Sequence, residues 1–450
     1  MIRIACYAAI SAALLAPAQG KEASPKSVPP PGFISLSSAL RLAGANNLDV
    51  RIVEEHLAEA RADHLIAIEQ FIPSLTGGLG FRQYDGNAQT TEGRIIDVNK
   101  QLYTGGGTLA AQIKFGDAIY ETLASHQLVK AAKFATEARR LDSMYEAAVA
   151  FYDLVLNHAA VSVAEEAVKI SREYSLQLGK AAEAGLAYEG DALRAVAQVQ
   201  KDELALEQIR VQRRIAAARL SQILNLDPAI ELVPDQTTLS PIRLISEKET
   251  LDSLVAKATA NRPELKQMAA RVQAAKSRHS GAVYGPAVPS IAAGAFWGGL
   301  GGGDGNAGMA NFDNSSEYSV GASWTLGPGG LFDVGQMNKT RAKVKQGELE
   351  TEKSHQEIIV QVVAAHARLN SMSSQLDSAR QAMTSIEKNL ALSRERKTFA
   401  VGEVLENIDA EEQWTKTRMD YINVLAEYNK TQFAMIRALG LVPSSDSKAD

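Results

Sequence analysis

Cysteine is almost absent from this chain. Its 450 residues contain one, Cys6, inside an apolar N-terminal run, so the remainder has no disulfide, no thiolate nucleophile and no Cys-ligated zinc. Aromatics make up only 6%, so large aromatic-rich cores cannot supply most of the cohesion. No charge of one sign dominates: 47 Lys and Arg stand against 52 Asp and Glu, a net charge of −5, and no basic excess points to nucleic acid. Mean hydropathy is −0.13, and no internal apolar run approaches the ~18 residues expected of a spanning helix. A bundle of membrane helices is therefore not expected. Chemistry is missing as well. The seven histidines are scattered without an H-E-x-x-H pair, and no G-x-S-x-G occurs. No carboxylate is tied to a nucleophile, so no metal, no cofactor and no enzymatic activity are expected. A literal G-x-G-x-x-G from Gly303 to Gly308 sits in a glycine-rich run with no βαβ unit around it, and reads as a loop.

What is present starts with a targeting signal. Residues 1–18 carry Arg3, an apolar run and Ala16-Pro17-Ala18, the pattern of a cleaved secretory peptide. Cys6 does not follow the cleavage site, so no lipid anchor is expected. Residues 19–33 form a Pro-rich linker.

Beyond it, two halves can be laid on one another. Leu36–Val50, LSSALRLAGANNLDV, matches Leu251–Leu265, LDSLVAKATANRPEL, pairing Leu36 with Leu251, Asn46 with Asn261, Asp49 with Glu264 and, later, His64 with His279. Each stretch continues as helix and then meets a proline, at Pro73-Ser-Leu and at Pro289-Ser-Ile. There the period changes from 3.6 to 2, the mark of strands. Strands are expected at about 74–84 and 107–115 in the first half (34–226), and at about 290–298 and 317–327 in the second (249–441). Tyr318, Val320, Ala322, Trp324 and Leu326 alternate with Ser319, Gly321, Ser323 and Thr325. Each half ends in two long helices. The first runs from about Gly116 to Leu178, with apolar residues in a 3-4 pattern from Val149 through Tyr152, Leu156 and Val163 to Tyr174, which is coiled-coil spacing. The chain turns over Gly179–Gly190 and returns to about Leu226. In the second half the helix spans Val334–Thr398, with a turn over Ala400–Asn407 and a return through Trp414, Tyr421 and Tyr428. Residues 227–248, with three prolines, are an irregular connector, and 442–450 a frayed polar tail.

Four strands of bilayer length cannot close a barrel alone, and lipid tolerates no open sheet edge. Several chains must share one barrel. Two would supply eight strands and three would supply twelve.

The repeated L-x-x-A-L/V-x-x-A-x-x-N-x-x-D/E element, the Pro-Ser-Leu/Ile strand entries and the twofold order of elements resemble the TolC-like outer-membrane efflux proteins, over about Ile34 to Leu441. The resemblance implies an α+β membrane protein with an internal twofold repeat. It implies a homotrimer sharing a 12-stranded β-barrel, four strands per chain, that continues into a long periplasmic α-helical coiled-coil barrel. The implied function is passive exit across the outer membrane of a Gram-negative bacterium for a substrate delivered by an inner-membrane transporter of RND or ABC type through a periplasmic adaptor. It also implies site residues. Ala184-Gly185-Leu186 and Val401-Gly402-Glu403 match hairpin tips that face the adaptor, although either glycine also fits a plain helix-ending turn. Asp191 matches a tip aspartate. Asp409 takes the place of a pore-constricting aspartate if the second tip is about two residues short, with Glu411 next in line. These acids equally suit a solvated surface. Phe81, Trp297, Tyr318 and Trp324 are expected to form a lipid-facing aromatic girdle, the other reading of the tryptophans being the core of a soluble sheet. The competing function is a periplasmic coiled-coil scaffold or adaptor that never enters lipid.

Overall fold

A computed structural model of the chain describes residues 32–236, 238–246, 249–305, 311–398 and 404–443. The expected signal segment, nearly all of the linker, and Val401 and Gly402 of the second tip lie outside the described residues, as does the tail beyond Pro443.

The first half opens with β1 (Phe33–Ile34) and α1 (Leu36–Asn46). The α1 helix is capped by the Ser35 hydroxyl, which accepts from the Ser38 amide at 3.2 Å. Asn47 breaks the next stretch into a separate helix, α2 (Leu48–Glu69). Its Oδ1 accepts from the amides of Asp49 and Val50, and its Nδ2 donates to the Ile223 carbonyl at 2.8 Å. After Pro73 come β2 (Ser74–Gln89) and β3 (Ile95–Lys114), then the 69-residue α3 (Phe115–Glu183) and the returning α4 (Glu189–Ile223). The second half follows with α5 (Leu251–Asn261), capped by Thr250, and α6 (Pro263–Tyr284), with Pro263 at its first turn. It continues with β5 (Ser290–Asp304), β6 (Asp313–Ser323), α7 (Val334–Thr398) and α8 (Val404–Ala438). Gly179 is helical, inside α3, rather than the start of a turn.

Three strands are longer than the periodicity predicts, at 16, 20 and 15 residues, while β6 has the expected 11 but begins four residues earlier. Most of the stretch 84–97, beyond the first expected strand, is also strand, and the chain reverses only around Thr90–Gly93. The last strand ends at Ser323, so Trp324 and Leu326 lie just past it. Another correction concerns hydropathy. The α3 helix contains a window of mean hydropathy 1.4, long and apolar enough by composition to cross a membrane, but 61% of that window is buried inside the protein. It is the central helix of the packing, not a span.

The main core lies where the halves meet. Phe151 and Tyr152 of α3 make an edge-to-face pair with ring centroids 5.7 Å apart, and Tyr152 also packs against Phe433 of α8. Leu40, Leu220, Leu224, Leu254, Leu425 and Leu439 close around them. Alanines and valines of α3 carry the rest, so the helix axes approach closely without aromatic bulk. Beside the core, β4 (Val233–Pro234) pairs with β1 in parallel. The irregular connector that follows is strapped down by two buried side chains of α8. Asn429 Oδ1 accepts from the Ile242 amide at 3.0 Å and its Nδ2 donates to the Ser240 carbonyl at 2.9 Å, while Gln432 Oε1 accepts from Leu244 and Ile245. Without them these part-buried connector groups would lose their hydrogen-bond partners.

Candidate functional site

The sheet runs β2-β3-β5-β6, all neighbours antiparallel, with β2 and β6 at its two edges. Register decides which side chains share a face, because directly opposed residues point the same way and each strand alternates. Leu75 opposes Leu109, which opposes Ala295, which opposes Tyr318. The face through that rung holds Leu75, Leu79 and Phe81 of β2, and Tyr103, Leu109, Ala111 and Ile113 of β3. It continues with Ile291, Ala293, Ala295 and Trp297 of β5, then Tyr318, Val320 and Ala322 of β6. The other face holds Ser74, Thr76 and Arg82, Lys100, Thr104, Thr108 and Gln112, Ser290 and Gly294, then Glu317, Ser319 and Ser323.

The apolar face is a band with edges. On β3 it begins at Ile113 and ends at Tyr103; the next residues on the same face are Gln101 and Asn99, opposed by Gln83 and Asp85. Ten residues of strand cover about 33 Å at 3.3 Å per residue. At a barrel tilt of about 40° that is roughly 25 Å along the axis, the height of a transmembrane apolar band. The band is strongly exposed in the single chain: Leu79 is 93% and Val320 84% accessible.

The four expected girdle residues occupy three levels. Phe81 stacks near Tyr103 at the upper edge, centroids 5.0 Å apart. Phe312 joins them there, packed so closely on Gly299 and Gly301 that a Cβ on either glycine would collide with it. Trp297 and Tyr318 sit at mid-height, where the indole Nε1 donates to the Tyr318 hydroxyl at 2.8 Å. Trp324 lies at the lower edge beyond β6, its Nε1 donating to the Ala287 carbonyl at 3.3 Å. Periodicity alone misses Tyr103 and Phe312. Tyr103 lies just before the Gly105–Gly107 run of β3, which interrupts the alternation, and Phe312 is an isolated aromatic beside the loop.

At the far end of the helices, the first hairpin reverses at Gly185, which has φ +71°. Its amide donates to the Ala182 carbonyl and the Leu186 amide to Ala181, the paired bonds that end a helix at a left-handed residue. A plain structural role for Gly185 is therefore met by the turn itself. Leu186 beside it is 84% exposed. Asp191 is in the first turn of α4 and pairs with Arg194 at 3.3 Å. Asp409 lies in the second turn of α8, exposed, and accepts from Gln413 Nε2 at 2.7 Å.

Asp191 and Glu411 share an electrostatic neighbour, Tyr174. Both carboxylates act on the buried Tyr174 of α3, whose hydroxyl is pushed up to about 12 by burial first and then by the negative charges of Glu411 and Asp191. Tyr174 borders a cavity of about 320 Å³ between α3, α4 and α8, also lined by Ile170, Asp202, Ile408 and Glu411. Asp202 is raised chiefly by burial. Lys201 bridges α4 to Glu412 of α8 at 2.7 Å, and Arg418 pairs with Glu166 while lying over the Trp414 ring. The two hairpins are thus tied by polar contacts near their tips. Among the described residues no cluster of metal-ligating side chains occurs.

A sheet with one apolar face stands on two long helical hairpins, and solved structures share this fold. This chain is similar to a membrane protein from Pseudomonas aeruginosa (18% identity, 90% of this chain and 93% of that one, TM-score 0.75). It is also similar to the CmeC outer membrane channel of Campylobacter jejuni (15%, 90% and 85%, TM-score 0.74) and to the open MtrE outer membrane channel of Neisseria gonorrhoeae (16%, 92% and 90%, TM-score 0.72). In sequence it is 25% identical to the protein CyaE of Bordetella pertussis over 322 residues, 69% of this chain. The chain spans 64% of the length of that relative. Residues 254–441 match the outer membrane efflux protein family. Over 90% of its length the chain shares the fold of the CmeC channel.

Proposed function

We propose that three copies of this chain close a twelve-stranded barrel in the outer membrane and that their helices form a periplasmic tunnel, a passive exit for substrate. A periplasmic adaptor and an inner-membrane transporter of RND or ABC type deliver that substrate. The observation that carries this reading is the apolar band on one face of a four-stranded sheet with two unpaired edges. A soluble scaffold has no use for it, and lipid would not tolerate the edges unless neighbouring copies paired them.

An internal duplication accounts for the chain's contribution of two hairpins. It is supported by contacts that recur 215 residues apart, since 279 − 64 and 340 − 125 both equal 215. His64 Nδ1 lies 2.9 Å from Ser125 Oγ, and His279 Nδ1 lies 2.9 Å from Thr340 Oγ1. The same offset relates the caps Ser35 and Thr250, and it relates Asn47 bonded to the Ile223 carbonyl to Arg262 bonded to the Ala438 carbonyl.

The test is fractionation. The full chain is expected to stay with outer membranes through a carbonate wash and to migrate as a trimer until heated. Recovery as a soluble monomer would overturn the reading.

The acids at the tips are proposed as the narrow end of the tunnel. Fixed charges count for more in a constriction than in open water, and threefold symmetry turns one acid per chain into a ring of three. Asp409→Ala is expected to lower cation selectivity and weaken block by multivalent cations in planar bilayers, with Glu411 the second candidate. Asp191→Ala is expected to raise leak conductance by loosening the closed tip. If Asp409→Ala and Glu411→Ala channels both keep the parent's selectivity, the acids are solvated surface.

A further inference from the structure

Between β6 and α7 the chain makes a braced loop whose apolar side chains face outward. Trp324, Leu326, Phe332 and Val334 are 57%, 72%, 76% and 63% exposed. Phe332 adopts φ +68°, a left-handed conformation that a bulky residue rarely takes. The loop does not hold this conformation loosely. Leu326 and Leu331 form a bridge, the Gly327 amide donates to the Leu331 carbonyl at 2.9 Å, and the Leu331 amide donates to Thr325 at 2.8 Å. Asp333 accepts from the Gly329 amide through one oxygen and from the Gln336 amide through the other, at 2.8 and 2.9 Å. These two amides hold its carboxyl below the usual carboxylate range. Strain kept by so many bonds, at a side chain that packs on little of its own chain, is a mark of function.

We infer that residues 324–334 anchor the channel at the periplasmic surface of the outer membrane, with Phe332 and Leu326 seated among lipid at the boundary of acyl chains and headgroups. The inference rests on the proposed insertion of the sheet. Two observations select lipid as the occupant. First, the loop continues the apolar band: Trp324 follows Ala322 by two residues at its lower edge. Second, the charge that follows complements an anionic headgroup layer. The first turns of α7 carry Lys339, Arg341, Lys343 and Lys345, with no acid from Val334 to Gly347. Aromatic and aliphatic side chains backed by cations are the chemistry of a lipid interface.

The test places a nitroxide at position 332, through Phe332→Cys in a Cys6→Ser background, in the trimer reconstituted into vesicles with anionic phospholipid. Labels at Ala322→Cys and Lys388→Cys mark the apolar face and water. The label at 332 is expected to favour collision with oxygen over a water-soluble nickel chelate, to a degree between the two references, and most strongly in anionic vesicles. A label at 332 that matches position 388, or one shielded from both reagents by a neighbouring copy, overturns the anchor while position 322 remains in lipid. If position 322 also behaves as water-exposed, the membrane reading itself fails. A second variant separates anchoring from folding. Phe332→Gly relieves the left-handed strain, so its thermal midpoint in detergent is expected to equal or exceed that of the parent while its binding to anionic vesicles falls. A lowered midpoint would make Phe332 a packing residue and overturn the assignment.

Discussion

Replacing Glu264 by alanine is expected to destabilise the folded chain by about 3–5 kcal/mol, the cost of leaving buried charge without its partner. Glu264 lies in the first turn of α6 and is shared by two arginines. Arg262 Nη1 reaches its Oε1 at 2.8 Å and Arg437 Nη2 reaches the same oxygen at 2.6 Å. Arg262 is 4% exposed and also donates to the Ala438 carbonyl and to Gln361. Arg437 is held on its other side by Asp142 of α3 at 2.6 Å. Four helices meet at these charges. Removing Glu264 leaves Arg262 with no carboxylate and Arg437 with one, in a site where neither reaches water freely. Burial alone would raise the Glu264 carboxyl, but Arg437 and then Arg262 outweigh it and hold the group below its ordinary value of 4.5. A depressed folded-state pKa means that the stabilisation is full above the unfolded value and is lost as pH falls through the lower folded one. The gap between parent and Glu264→Ala melting temperatures should therefore be widest near neutrality and close in acid. Circular dichroism melts in detergent at several pH values measure it. Glu59→Ala, an exposed acid paired only with His56, is the control and should change stability by less than about 0.5 kcal/mol. Equal losses for the two variants would show that the buried network contributes little.

That network was not legible in the sequence, and the reason is physical. Glu264 reaches Arg437, 173 positions away, and Arg437 reaches Asp142, 295 positions away. No local pattern encodes such pairing. What was legible was periodic. The alternating residues from Leu75 to Phe81 and from Tyr318 to Ala322 lie on the face that register gives them, and the long helices begin and end within a few residues of where glycine and proline punctuate them. Strand length was not legible because glycines interrupt the middle of β3 and fill the upper half of β5. Gly105, Gly106 and Gly107 oppose Gly299, Gly298 and Trp297, and a residue without a side chain shows no alternation. The structure supplies the cause: the Phe296 ring lies against Gly106 and Gly298 on one face, as Phe312 lies against Gly299 and Gly301 on the other. At the tips, the Gly185 turn and the start of α4 were readable, but the action of both Asp191 and Glu411 on Tyr174 was not, since it depends on how two hairpins lie against each other.

Register also decides where a charge should hurt most. Ala322 opposes Ile291, which opposes Ile113, the lowest rung of the apolar band. Ala295 opposes Leu109 and Tyr318, nearer mid-height. The cost of an arginine on a lipid-facing strand position is about 2–4 kcal/mol at the bilayer midplane and falls towards zero to 1 at its edges. Ala295→Arg is therefore expected to lose about 2–4 kcal/mol, and Ala322→Arg distinctly less, because a long side chain near the edge can lift its guanidinium to the headgroups. Thr108 lies one residue from Leu109 but on the other face, opposite Phe296, where a water-filled lumen would solvate the charge. Thr108→Arg is expected to cost least of the three. The measurement is the denaturant midpoint of each variant folded into vesicles, with assembly yield beside it. The order Ala295, Ala322, Thr108 depends on face and depth together: face alone would make the first two equal, and depth alone would make Ala295 and Thr108 equal. If Thr108→Arg proves as damaging as Ala295→Arg while Ala322→Arg is mild, depth matters but the faces are wrongly assigned, and the polar face is not the lumen.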